Sequence, residues 1–156
     1  MILVRGIGAL FAAYQVLVYD TQPYPSAAYR NMGLALAGVL ALGDLAIWLA
    51  QKRLRALPHV RAIALAGLAL DIAVASGFVW LFAFDQTSAL WVVLFILPLE
   101  GAILFQLSGA LGAWLVITLI YIGREVWGSS RFEYELQWSS VSFRMGVGLL
   151  ITLVGG

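Results

Sequence analysis

Residues 89–123 read ALWVVLFILPLEGAILFQLSGALGAWLVITLIYIG, and the number of times this run crosses a membrane decides the fold. At ~1.5 Å per residue a single helix over it would be about 50 Å long, against a hydrocarbon core of ~30 Å. One pass is too short for the run, so it is expected to fold back on itself. The cut falls near QLSGALG, residues 106–112, where Ser108, Gly109 and Gly112 permit a tight hairpin. The two expected spans are then about 89–107 and 109–123.

Apolar character extends along the whole chain. Of its 156 residues, 63% are hydrophobic and 11% charged, where a soluble domain carries roughly 25% charged residues. No long polar segment exists to cover a buried soluble core, so the chain reads as an integral membrane protein. Four further spans fit, at about 2–19, 31–50, 60–84 and 141–156. DTQPYPSAAYR, QKRLRALPHVR, DQTS and REVWGSSRFEYELQWSS connect the spans. The expected fold is therefore one all-α transmembrane domain over 1–156, a bundle of six helices. The first stretch is a span rather than a signal peptide, because no small-residue cleavage pattern precedes Asp20.

Lysine and arginine in short loops set the orientation. Lys52, Arg53, Arg55 and Arg61 place the second loop in the cytoplasm, and Arg5 then lies on the same side. Six passes put both termini in the cytoplasm, with Arg30, Arg124 and Arg131 outside. A five-pass alternative would move Arg124 and Arg131 inside, but the length of 89–123 argues against it. The chain stops at LLITLVGG, just where the last span would leave the membrane. A cytoplasmic portion is expected to follow.

Ionisable residues inside a span are costly unless they face protein or water. Four stand out: Asp44, Asp71, Glu100 and Arg144. Three acids and one base cannot all pair. Pro98 removes a backbone donor two residues before Glu100 and is expected to kink the fourth span. The candidate ligand-binding set is Asp71, Glu100, Gln106 and Arg144, with Tyr14 and Tyr121. It would take a small polar or amphipathic ligand; the competing reading is interhelical glue that fixes register. Small residues mark packing faces: Ala69, Ala73 and Gly77, then Gly33, Gly38 and Gly43, then Gly146 and Gly148.

Several classes are excluded or disfavoured. Cysteine is absent, so there are no disulfides, thiolate metal sites or cysteine nucleophiles. His59 is the single histidine and reads as a solvated loop residue beside Pro58, not a metal ligand. No zinc-binding helix, phosphate loop, serine–histidine pair or in-span lysine appears. No catalytic residue, cofactor or nucleic-acid partner is expected.

From LPLEGAILFQLSGALG to SVSFRMGVGLLITLVGG the chain resembles the N-terminal multi-span sensor domains of bacterial membrane-bound signalling proteins. Pro98, Glu100, Gly101, Phe105, Gly109, Arg144 and Gly146 carry the resemblance, which covers about the last 70 residues. Gln106 departs from it, standing where a basic residue is common, and no output domain is present. The resemblance implies a module of the bacterial inner membrane that passes a signal through its last helix. The output would be a cytoplasmic diguanylate cyclase (GGDEF) or histidine kinase, in a homodimer. Two alternatives stay open: a substrate-binding membrane subunit of a vitamin-type transporter, and a structural membrane protein without a ligand.

Overall fold

The computed structural model describes residues 2–18, 27–54, 57–82, 89–132 and 135–156. The expected turn DQTS, and Arg55 of the basic loop, lie outside the described residues. Those described form helices α1 (Ile2–Val18), α2 (Ala27–Arg53), α3 (Leu57–Phe82), α4 (Ile96–Phe132) and α5 (Trp138–Gly155), with a 3-10 segment, Ala89–Phe95, leading into α4. Their contacts group the chain into two compact units, Met1–Leu81 and Phe82–Gly156.

Four helical segments are long and apolar enough to cross a membrane: Ala27–Arg53, Pro58–Phe82, Trp91–Arg131 and Trp138–Gly155, with mean hydropathies of 1.9, 2.1, 2.0 and 1.3. Six were expected from the sequence, and the difference has two causes. α1 is apolar but has 17 residues, about 25 Å of helix against a core of ~30 Å. The run from 89 to 132, expected as two separate spans, is helical almost throughout and is broken only at Phe105 and Gln106.

That break reverses the chain. Phe105 has φ −137° and ψ 16°, and Gln106 has φ 58° and ψ −154°. In an uninterrupted helix, residues eight apart are separated by about 12 Å. Here a Cβ added to Gly101 would lie 2.6 Å from the Gly109 carbonyl oxygen, and one added to Gly109 would strike the Gly101 carbonyl in turn. The backbones touch at this point, which only glycine at both positions allows. Residues 89–104 and 107–132 are therefore two legs of a helical hairpin. The Ser108 hydroxyl donates to the Phe105 carbonyl at 2.9 Å, a bond for a group that the break takes out of the helical ladder. The turn falls slightly earlier than the expected cut, and the second leg runs nine residues past the expected end at Gly123.

Pro98, expected to kink the fourth span, stands where one helix type passes into another. It lies buried in the first turn of α4, immediately after the 3-10 segment, where its missing N–H and its ring are tolerated. Pro58 and His59, expected in a loop, occupy the first turn of α3 for the same reason. Both are exposed there.

α5 packs along both legs. Arg144 lies against Trp91, Gly148 against Phe95 and Gly155 against Leu99, so α5 runs parallel to the first leg. Arg144 meets Tyr121, and Gly156 meets Leu107, so it runs antiparallel to the second. Gly148 leaves the room that the Phe95 ring fills: a Cβ there would sit 2.7 Å from it. The buried face of the second leg follows Ala110, Ala113, Ile117 and Tyr121, a helical period of three to four.

In the first unit α2 and α3 are antiparallel, with Gly43 against Leu70 and Gly77 against Leu36. Large apolar side chains point outward here, Leu10 at 74% and Leu42 at 69% exposure. The helices thus present apolar surface outward, as spans do to lipid. Lys52 and Arg53 close α2, opposing the negative end of its dipole. The Lys52 ammonium lies 3.6 Å from the centre of the Trp48 ring.

Candidate functional site

The densest group of buried charge sits where the second leg passes Arg144. Tyr121, Arg124 and Glu125 follow one another at i, i+3 and i+4, so they share one helical face. All three are buried, at 1%, 3% and 5% exposure. Arg124 Nη1 donates to Glu125 Oε1 at 2.7 Å. From α5, Arg144 Nη1 donates to the Tyr121 hydroxyl at 2.6 Å, and its guanidinium stands 5.0 Å from the centre of the Trp91 ring. Beside the Tyr121 phenol stand the Arg144 guanidinium, which donates to it, and the Arg124–Glu125 pair one turn on.

Charges in a transmembrane helix persist where they meet one another. Removing one partner of such a buried group is costly, because the other is left in a low dielectric. The open side of the group is formed by Arg144 and Trp91, both half-buried. Chemically the arrangement offers hydrogen-bond donors and an aromatic face.

The six residues expected to form a ligand site are distributed as follows. Tyr121 and Arg144 come together. Glu100 is buried on the first leg, close to the level of Leu99 and Gly155, about 15 Å along α5 from Arg144. Gln106 is exposed at the hairpin turn. Asp71 belongs to the first unit, where Arg5 Nε donates to its Oδ2 at 2.8 Å and Arg5 Nη2 makes a second, shorter bond. This pair is nearly sealed, at 11% and 12% side-chain exposure. Tyr14 is 59% exposed on α1. Asp44, also noted in the sequence, is buried, and its Oδ1 has no hydrogen-bond partner among the described residues.

Three charged residues that matter were not among those expected inside the membrane: Arg5, Arg124 and Glu125. Arg5 reads as a loop charge from its place near the first residue, yet it holds Asp71. The signal for Arg124 and Glu125 was present. The buried period 110, 113, 117, 121 continues to 125 and to Gly128, also buried, so the face does not end at Gly123. Among the described residues no group of three or more histidine, cysteine or acidic side chains is placed to hold a metal. Comparison with known protein families, characterised proteins and solved structures finds no match for this chain.

Proposed function

We propose that the chain is a multi-pass transmembrane input module whose second unit recognises the anionic group of an amphipathic ligand at Arg144 and Trp91. The observation that carries this reading is the cluster itself: Arg144 bonded to the buried Tyr121 phenol and set beside the Trp91 ring, with the Arg124–Glu125 pair one turn on. A carboxylate or phosphate would accept hydrogen bonds from the Arg144 guanidinium, and its tail would lie in the bilayer. Arg144 stands on α5, so a ligand that pulls on it acts on the helix that leaves the bundle. α5 meets the first leg through Gly148 and Gly155, contacts between a small residue and a side chain that suit a small axial shift. A cytoplasmic output of the cyclase or kinase type, in a dimer, would read that shift.

The six-pass topology belongs to the same proposal; it requires α1, about 25 Å of helix, to cross as well, with the bilayer thinning by a few ångströms to meet it. The first leg holds seven 3-10 residues followed by nine α residues, which extend it to about 27 Å, close to the ~30 Å of a bilayer core. Both termini would then be cytoplasmic, in the bacterial inner membrane.

The test is thermal unfolding of the purified chain in lipid nanodiscs, with oleate and with oleyl alcohol as probes. Oleate is expected to raise the midpoint by several degrees, the alcohol to leave it unchanged, and Arg144→Gln to abolish the oleate shift. Equal shifts from the two probes, or an oleate shift that survives Arg144→Gln, would remove Arg144 from any anion site.

A further inference from the structure

We infer that Asp44 is a proton-binding site of the first unit: it holds a hydrogen against the backbone of α2 while Arg5 serves Asp71, and on losing it competes with Asp71 for Arg5. Gly33, Ala37 and Asp44 are buried residues of α2, and their spacing places them on one face. Asp44 is 6% exposed there, and its Oδ1 is closed to solvent and meets no hydrogen-bond donor among the described residues. A bare carboxylate so enclosed is costly. The backbone cannot relieve it, because in mid-helix each N–H is spent in the helical ladder and only carbonyls face the side chain. A protonated carboxyl reverses the match. Its O–H can donate to the carbonyl one turn back, that of Leu40, as a hydroxyl does in α5, where Thr152 donates to the Gly148 carbonyl at 2.7 Å. A hydrated ion would need room and further ligands; a proton needs neither.

Arg5 makes the site responsive. α2 and α3 are antiparallel, with Gly43 level with Leu70 and Leu36 level with Gly77. That register sets Asp71 level with Leu42 and Gly67 level with Ala46, so Asp44 falls midway, about 3 Å of rise from either. The Arg5 guanidinium lies against both: Nε donates to Asp71 Oδ2 at 2.8 Å, and a Cβ on Gly67 would stand 2.9 Å from Nη2. One guanidinium thus crosses the level of two carboxyls, reaching it from α1, which packs against α2. The other described charged side chains of the unit, Arg30, Lys52, Arg53 and Arg61, and its histidine, His59, are exposed near the ends of α2 and α3. While Asp44 keeps its hydrogen, Arg5 and Asp71 balance each other. Once Asp44 gives the proton to water, two carboxylates share one guanidinium, and Arg5 is drawn toward α2. The inference rests on burial within the first unit and is independent of the anion site proposed for the second.

The test is infrared spectroscopy of the full chain in lipid nanodiscs, with aspartate carrying a heavy carbon isotope at its side-chain carboxyl, so that its bands separate from those of glutamate. In neutral buffer the unaltered chain is expected to show an isotope-shifted carboxylic-acid C=O band, and Asp44→Asn to lose it. Asp71→Asn, which releases Arg5 to pair with Asp44, is expected to lose the same band, while Arg5→Gln keeps it. Should Asp71→Asn not fold, thermal unfolding of Asp44→Asn gives the second reading. The amide offers the Leu40 carbonyl the same kind of donor as the protonated acid, so an unchanged midpoint is expected. Absence of the band from the unaltered chain, its survival in Asp44→Asn or in Asp71→Asn, its loss in Arg5→Gln, or a lowered midpoint in Asp44→Asn would each overturn the inference.

Discussion

Gln106 is the residue on which the second unit turns. Its φ of 58° with ψ −154° lies in a region that glycine occupies almost alone, and a side chain there costs on the order of 1–3 kcal/mol. The chain accepts this because the reversal is enforced from both sides, by backbone contact between Gly101 and Gly109 and by α5 ending against Leu107. Relieving the strain should stabilise the fold. Gln106→Gly is expected to raise stability by about 1 kcal/mol, less whatever the freer unfolded chain takes back. Thermal unfolding in detergent would show it; a lowered midpoint would mean that the Gln106 side chain does more than occupy the turn. Arg5 makes a related point. A single base near the first residue looks like a topology charge, and only the fold reveals that it neutralises Asp71 66 positions away.

At the scale of elements, close approach rather than propensity decides which glycines matter. Gly109 and Gly112 lie three residues apart on the same helix, and the sequence treats them alike as hairpin formers. In the structure a Cβ on Gly109 meets backbone, while one on Gly112 meets nothing within 4 Å. Gly109→Ala is therefore expected to destabilise by about 1–3 kcal/mol, because backbone cannot give way as a side chain can. Gly112→Ala should be neutral or stabilising by up to about 1 kcal/mol, since alanine is the better helix former. Paired unfolding curves in one detergent settle it, and equal losses would argue against the hairpin contact. The length of the second leg is the other matter decided at this scale. The charged pair after Gly123 resembles the start of a loop, but the helix continues because Arg124 and Glu125 fall on its buried face and meet each other there.

At the scale of the molecule, the hairpin is what a six-pass topology requires. The chain has no cysteine, so a single introduced thiol is a clean reporter of sidedness. With Lys52→Cys, Ser108→Cys and Ser130→Cys in right-side-out vesicles, an impermeant maleimide is expected to label Ser130→Cys alone. Inside-out vesicles should label the other two. If residues 89–132 crossed only once, Ser108→Cys would resist both treatments. The division into two units, Met1–Leu81 and Phe82–Gly156, falls just before DQTS, a stretch that the sequence marks as a turn but not as a boundary between units.

Composition and period by themselves determined that this is a helical protein whose α2, α3 and α5 are long and apolar enough to cross a membrane, because apolar length is a local property. They also pointed to a turn near Ser108, and the structure reverses the chain at Phe105 and Gln106. Tertiary structure alone decided which charges meet. Arg144 finds Tyr121 and Trp91, and Asp71 finds Arg5. Pairing of this kind depends on the register between helices distant in sequence, and that register is set by the places where glycine lets one backbone or side chain approach another. No local pattern encodes it, so the residues with the clearest chemistry were legible as types while their partners were not.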